Sequence, residues 1–192
     1  MSRILTALFL LSGSALAHEA GRYYVVVRGV DEAQGVSSGL TAELKALFTA
    51  ELKKHPEFTL EPPAGLPTDP EAMDEELKKR KIKALEVTLK VLGVTREINP
   101  PKEGKQYRVL VRGIKLAVFG DVLPTKVMAI GGDGESQAGA EVGKTADLDK
   151  EGKALLLDVS KEAIKQAVDM TVNKFNLAGK PEKAPPKKKK AG

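Results

Sequence analysis

Two stretches near the middle of the chain constrain the fold more than any other feature. In "ALEVTLKV", residues 84–91, apolar side chains alternate with polar ones, which is the period of a β-strand with one solvated face. The stretch "YRVLVRGIKLAVFG", residues 107–120, is also rich in β-branched residues, and "REINPPKEGKQ" between the two contains proline and glycine. This arrangement predicts two long strands joined by a turn, an antiparallel hairpin.

Three other stretches predict helices, and the first and third of them repeat their apolar residues with the period of an amphipathic helix. The first ends near His55 and Pro56. The second begins with Asp69 at the cap and Pro70 in the first turn, and has acidic residues early and basic residues late, an order that complements the helix dipole. The third covers residues 151–176 and is the longest. The first stripe comprises Leu40, Leu44, Leu47, Phe48 and Leu52, and the third comprises Leu157, Ile164, Val168, Val172 and Phe175.

The remaining segments complete the predicted fold. "RYYVVVRGV", residues 22–30, predicts a buried strand, and "EFTLE", residues 57–61, a short one. "TKVMAIGGDGESQAGAEV", residues 125–142, predicts a strand whose second half is glycine-rich. The predicted order is β-α-β-α-β-β-β-α. Helices with a single apolar stripe need a sheet to cover, so we expect an α+β two-layer sandwich with a mixed sheet of about five strands and three helices.

The amino terminus has the pattern of a secretory signal. It reads "MSRILTALFLLSGSALAHEAG", with one early cation at Arg3, a short apolar run and small residues up to Ala17. The apolar run is shorter than the roughly 20 residues that span a bilayer. A buried first helix is the alternative, but Gly13 and Ser14 would interrupt it. We therefore expect a signal peptide at residues 1–17 and a mature protein that begins at His18 in the periplasm or outside the cell.

The basic charge of the chain is concentrated at its carboxyl end. The whole sequence has 31 Lys and Arg against 26 Asp and Glu, but residues 18–179 have 24 against 25. The segment "KPEKAPPKKKKAG", residues 180–192, holds six lysines and no apolar residue larger than alanine, so we expect a disordered tail after a single domain at 18–179. The tail either solubilises the protein or contacts an anionic membrane, peptidoglycan or another glycan through Lys187, Lys188, Lys189 and Lys190. Because the domain is neutral and has few aromatic residues, we do not expect nucleic-acid binding.

The stretch "AGAEVGKT", residues 138–145, fits a loose form of the phosphate-binding loop. Such a loop follows a buried strand and opens a helix, so that backbone N–H groups converge on phosphate. Here the preceding "GGDGESQ" is polar, and Leu155 to Leu157 fit the stripe of the last helix rather than a second parallel strand. We therefore expect no nucleotide site and no cofactor.

Metal and catalytic sites have weak support in the sequence. His18, at the mature amino terminus, could chelate copper with His55 as a second ligand, and Asp133 with Glu135 could contact calcium. The chain has no cysteine, which excludes a disulfide, a thiol nucleophile and a lipid linked through cysteine. No Gly-x-Ser-x-Gly elbow is present. We expect no catalytic residue, and keep a metal-dependent secreted enzyme that uses His18 as the alternative.

The element order resembles a domain shared by three groups of envelope proteins. "YYVVVRGVDEAQGVSSGLTAELKALFTAELKKHPEFTL", "QYRVLVRGIKLAVFG" and "MAIGGDGESQAGAEVG" followed by "EAIKQAVDMTVNKFN" are similar to the penicillin-binding-protein activators, the curli secretion-channel subunit and the amino-terminal domain of TolB. The resemblance covers roughly residues 22–177 and rests on pattern, so no binding residue is carried over. It implies a non-catalytic periplasmic module that binds an envelope protein or glycan, in envelope assembly or maintenance.

Overall fold

The computed structural model describes residues 23–31, 38–101, 103–104, 106–123 and 127–178. Within these ranges lie five strands and three helices, in the order that the sequence predicts. The predicted signal peptide, the tail and His18 lie outside the described residues. The elements are β1 (Tyr23–Asp31), α1 (Ser38–Leu52), β2 (Phe58–Thr59), α2 (Pro70–Arg80), β3 (Ala84–Asn99), β4 (Tyr107–Leu123), β5 (Val127–Gly143) and α3 (Leu148–Ala178).

The strands form one mixed sheet in the order β2-β1-β3-β4-β5. β1 runs parallel to β2 and to β3, whereas β3, β4 and β5 form an antiparallel meander. The hairpin predicted from the alternating residues is the β3–β4 pair, which extends from Ala84↔Leu123 to Asn99↔Val109. The predicted α+β fold and mixed sheet are confirmed.

The main core lies between one face of the sheet and the helices α1 and α3. Phe48 of α1, Leu89 of β3, Leu116 of β4 and Ile164 of α3 are all at most 1% exposed and belong to one apolar cluster. The buried residues follow the apolar periodicity of the helices and strands in the sequence. Burial of one apolar face of each element offsets the entropy lost when the chain is ordered.

Helix α2 packs against the opposite face, at one end of the sheet. Tyr24, Ala84 and Leu123 are neighbours across three adjacent strands, and Leu77 of α2 is fully buried against them. As predicted, Asp69 caps this helix: its carboxylate accepts a hydrogen bond from the Ala72 N–H at 3.0 Å. The second face is therefore covered at one end.

A β-bulge in β3 changes which residues face the helices. Val91 pairs with Leu116, but Gly93 pairs with Lys115, so the register shifts by one residue around Leu92. Before the bulge the odd-numbered residues face the core, and after it the even-numbered residues do. The bulge thereby places Arg96 on the face that carries α3.

Helix α3 lies unusually close to the edge strand β5. A Cβ atom on Gly134 would lie 1.8 Å from the Ala163 carbonyl oxygen, and one on Gly132 would lie 2.1 Å from that of Ala167. Glycine is therefore required at both positions, which explains the composition of the strand. Side chains of α3 also reach the free edge of β5, where Lys174 Nζ donates to the Gly131 carbonyl oxygen at 2.6 Å.

Within the described ranges, no helix combines the length and the apolar character needed to cross a bilayer.

Candidate anion-binding site

Two arginines face each other near the first turns of α1 and α3. Arg96 of β3 and Arg112 of β4 are directly paired residues of the antiparallel hairpin. They lie on the side of the sheet that α3 covers, and line a cleft of about 160 Å³. The other residues around the cleft come from the starts of α1 and α3 and are Leu40, Asp149, Gly152, Lys153 and Leu156. Like charges directly opposite one another on two strands destabilise a sheet, so this pairing calls for an explanation.

The acidic partners in the cleft are already engaged by other cations. Arg96 forms an ion pair with Asp149, with a nitrogen-to-oxygen distance of 2.8 Å. Lys153 forms an ion pair with Glu43 of α1 at 3.0 Å. The carboxylates of Asp149 and Glu43 therefore neutralise Arg96 and Lys153. Neither carboxylate is left to pair with Arg112.

The Arg112 guanidinium has no hydrogen-bond or ion-pair partner in the part of the chain that the structure describes. Its Nε is shielded from solvent and bonded to nothing there. Burial lowers the pKa of Arg112 from its ordinary value, and the neighbouring charge of Arg96 lowers it further. Arginine nevertheless stays protonated at neutral pH. Among the described residues, the cleft therefore holds one cation that is partly desolvated and uncompensated.

The backbone of α3 at Gly152 passes over the Arg112 side chain. A Cβ atom there would be 3.6 Å from Leu110 Cδ2 and 4.0 Å from Arg112 Cδ. The aliphatic stem of Arg112 thus lies beneath the helix, while its neighbours along that face of β4, Leu110 and Ile114, are buried. A stem held in this way limits the rotamers of the guanidinium, so less entropy is lost when it binds a ligand.

The first N–H groups of α3 are not the donors of this site. The Asp147 carboxylate accepts hydrogen bonds from the N–H groups of Asp149 at 3.0 Å and Lys150 at 3.2 Å. Arg108 lies further along β4 and donates to the Lys144 carbonyl oxygen at 3.0 Å, which supports the turn before the helix. Arg112 is therefore the donor left available in the cleft.

A second, larger cleft between α1 and α3 is lined by equal numbers of acidic and basic residues. It has a volume of about 280 Å³ and a floor that includes Leu47 and Ile164. Four of its six charged residues form pairs, since Lys54, just after α1, pairs with Glu51 at 2.5 Å and Lys161 pairs with Asp158 of α3 at 2.8 Å. We regard the smaller arginine cleft as the candidate site because its charge is unbalanced.

The stretch 138–145 is not a phosphate-binding loop. Residues 138–143 continue strand β5 as far as Gly143, and Ala138 pairs with Arg112 of β4. Lys144 and Thr145 lie in the exposed turn that follows. Asp158, which would hold magnesium in such an enzyme, lies within α3. The sequence argument that this stretch does not form such a loop agrees with this geometry.

The other metal candidates are separate from the cleft. His55 is 18% exposed, with Nε2 3.6 Å from an Asp169 carboxylate oxygen, and its ring lies 6.3 Å from that of Phe58. Asp133 and Glu135 are exposed on β5, where Glu135 pairs with Lys115 at 3.3 Å. Among the described residues, no three acidic or histidine side chains are grouped as metal ligands. His18 and Lys187 to Lys190 lie outside the described residues, so their predicted roles stay predictions.

The arginine pair was missed in the sequence, although one signal was present. Arg108 and Arg112 are in phase with Leu110 and Ile114, so they occupy positions of β4 that otherwise face the core. A cation in phase with buried residues is costly unless it is paired, and therefore marks a candidate site. The partnership with Arg96 depends on the bulge around Leu92, which the alternation alone does not indicate.

No protein-family model matches the chain, and no curated protein matches it. Among solved structures it is similar to a Helicobacter pylori protein provisionally assigned as a neuraminyllactose-binding hemagglutinin homolog, with 8% identity, coverage of 84% of this chain and 87% of that one, and a TM-score of 0.49. It is also similar to a minor lipoprotein from Acinetobacter baumannii, with 9% identity, coverage of 79% and 92%, and a TM-score of 0.39. A third similar structure is rare lipoprotein B from Shewanella oneidensis, with 12% identity, coverage of 81% of this chain and 98% of that one, and a TM-score of 0.39. At these TM-scores the likeness assigns neither a family nor a function, and the three groups named from the sequence pattern stay a prediction.

Proposed function

We propose that this protein is a non-catalytic binding module of the cell envelope, secreted by its amino-terminal signal and acting in envelope assembly or maintenance. The observation that carries the proposal is the Arg112 guanidinium, which has no partner among the described residues and is partly desolvated in a cleft open to a ligand. A cation that is left unpaired in the free protein gains most when an anionic group of a partner reaches it.

The size of the cleft supports recognition of one chemical group rather than of a whole small molecule. Pockets for drug-sized ligands usually enclose about 300–1,000 Å³, whereas this cleft encloses about 160 Å³. A single anionic group fits that space while the rest of a larger partner remains outside. An envelope protein or a glycan is such a partner.

The lysine tail is a second element of the proposal. Lys187, Lys188, Lys189 and Lys190 are consecutive cations, and such clusters gain about 1 kcal/mol per residue near an anionic surface. In this proposal the tail tethers the protein to anionic lipid or peptidoglycan, and the domain binds the partner.

Crosslinking of the tagged protein in its own cells, followed by mass spectrometry, tests the function. Three forms are compared: the wild type, Arg112→Gln and a form without residues 180–192. We expect a reproducible envelope partner for the wild type, reduced recovery for Arg112→Gln, and weaker association with the envelope fraction for the truncated form. Absence of any reproducible partner for the wild type would refute the module, and equal envelope association of the truncated form would refute the tether.

A further inference from the structure

We infer that the arginine cleft binds a carboxylate group, held by the Arg112 guanidinium between β4 and the first turns of α3. This inference rests on the proposed binding function and names the ligand chemistry of the same site. It depends on three properties of the cleft: its charge balance, its shape and the donor that it presents.

The charge balance favours a ligand group with a single negative charge. Arg96 and Lys153 are each paired with an acid, Asp149 and Glu43 respectively, so within the described residues one positive charge remains on Arg112. A carboxylate neutralises that charge. A phosphate monoester carries close to two negative charges at neutral pH, and would leave an excess negative charge beside Asp149.

The shape of the cleft favours a group with one substituent. The cleft lies between the sheet and α3, where Gly152 brings the helix backbone over the Arg112 stem. A carboxylate is planar and carries one substituent, so it can enter edge-on while the rest of the ligand stays outside. A phosphodiester has one negative charge too, but its tetrahedral phosphorus carries two substituents that both need room.

The donor also matches a carboxylate. The guanidinium presents its N–H groups in a planar fork that pairs with both oxygens of a carboxylate in parallel hydrogen bonds. Arg112 lines the cleft and its guanidinium has no partner within the described residues, so N–H groups of the fork remain free for such a pair. The carboxylate can come from the carboxyl end of a peptide or from a uronic acid of a glycan, because both present the same group.

Nuclear magnetic resonance of the ¹⁵N-labelled full-length protein tests the inference. The Nε–Hε signal of Arg112 is assigned by its loss in Arg112→Lys, and the backbone amides of Gly152 and Lys153 provide a second readout that the variant keeps. The titrants are N-acetylglycine, the methyl glycoside of glucuronate, N-acetylglycinamide and dimethyl phosphate. The control variant is Arg28→Lys, since Arg28 is a 65% exposed arginine paired with Glu86 elsewhere in the sheet.

We expect saturable shifts with at least one carboxylate, with a dissociation constant on the order of millimolar for so small a probe. The two carboxylates distinguish a peptide source from a glycan source. Arg112→Lys should weaken binding about tenfold or more, because it keeps the charge but loses the fork, and Arg28→Lys should leave it unchanged. No saturable shift with either carboxylate, or tighter binding of dimethyl phosphate, would overturn the inference.

The stability of Arg112→Met provides an independent test. Methionine keeps much of the apolar stem and removes a desolvated cation opposite Arg96, so the ligand-free variant should melt at a higher temperature than the wild type. A lower melting temperature would mean that Arg112 supports the fold, and would overturn the assignment.

If crosslinking recovers a partner that requires Arg112 but no carboxylate binds, the ligand class is wrong and the module stands. If a carboxylate binds but no envelope partner is found, the module is wrong and the site stands.

Discussion

Replacement of Gly134 by alanine should destabilise the protein more than a single methyl group ordinarily does. The added Cβ would lie 1.8 Å from the Ala163 carbonyl oxygen, 2.8 Å from its carbonyl carbon and 3.1 Å from the Ala167 nitrogen. These are backbone atoms of α3, which cannot rotate away as a side chain can. Since Cβ atoms essentially never approach closer than 3.0 Å, the helix or the strand must move by about 1.2 Å.

The cost follows from the contacts that such a movement weakens. A gap of about 0.5–1 Å loses a quarter to a half of a dispersion contact, and the residues of α3 near this point, including Ile164 and Val168, are at most 1% exposed. Overpacking of a core typically costs about 1–3 kcal/mol, occasionally more. Because the contact is with rigid backbone, we expect about 3 kcal/mol, and with about 2–4 °C per kcal/mol a melting temperature lower by about 6–12 °C.

Urea denaturation and thermal melting of Gly134→Ala measure the effect, and Gly143→Ala is the matched control. Gly143 lies in the same strand, and a Cβ atom there would meet nothing within 4 Å. The control should be neutral or more stable by up to about 1 kcal/mol, since alanine loses less backbone entropy on folding. If Gly134→Ala is within about 0.5 kcal/mol of the wild type, the range of an ordinary surface substitution, the close contact between α3 and β5 does not exist.

Three further predictions concern α2 and its face of the sheet. Asp69→Ala should cost about 1 kcal/mol in urea denaturation because it removes the cap that accepts the Ala72 N–H; no change would mean that the cap is not formed in solution. Leu77→Ala should cost about 2–5 kcal/mol, because Leu77 is fully buried against the second face, and a cost below about 1 kcal/mol would place the helix elsewhere. The hydrogen bond from Arg80 lowers the pKa of Glu76 below its ordinary 4.5. The stability that this hydrogen bond contributes is therefore fully present above pH 4.5. It is lost as the pH falls through the lowered pKa of Glu76 in the folded protein. An NMR titration should show the Glu76 midpoint returning toward 4.5 in Arg80→Met, and an unchanged midpoint would contradict the pairing.

Much of the fold follows from residue periodicity. The alternation in residues 84–91 sets which face of β3 is buried, and the stripe of α1 does the same for the helix. The cap at Asp69 could be predicted because a carboxylate before Pro70 satisfies local backbone donors without help from distant residues. Element ends were less accurate: α3 begins at Leu148 rather than at residue 151, because Asp147 caps it.

The arginine site could not be predicted in the same way because it depends on register. Arg96 and Arg112 are 16 residues apart in the chain, and their pairing is set by the turn between β3 and β4 and by the bulge at Leu92. Without the bulge, Arg96 would point to the opposite face of the sheet. The sequence of α2 likewise does not indicate which face of the sheet this helix covers, because that face is set by the path of the chain between the strands.

The arginine cleft and the close packing of α3 belong to one arrangement. The glycines of β5 allow α3 to approach the sheet near Ala163 and Ala167, and the same helix carries Asp149, Gly152 and Lys153 at its other end. The depth of the cleft over Arg112 is therefore set partly by a contact about three to four helical turns away. The glycines that serve this approach, Gly132 and Gly134, precede the stretch 138–145 that resembles a phosphate-binding loop. It follows that a substitution that lifts α3 from β5 should weaken carboxylate binding at Arg112 as well as stability, whereas one that leaves the helix in place, such as Gly143→Ala, should weaken neither.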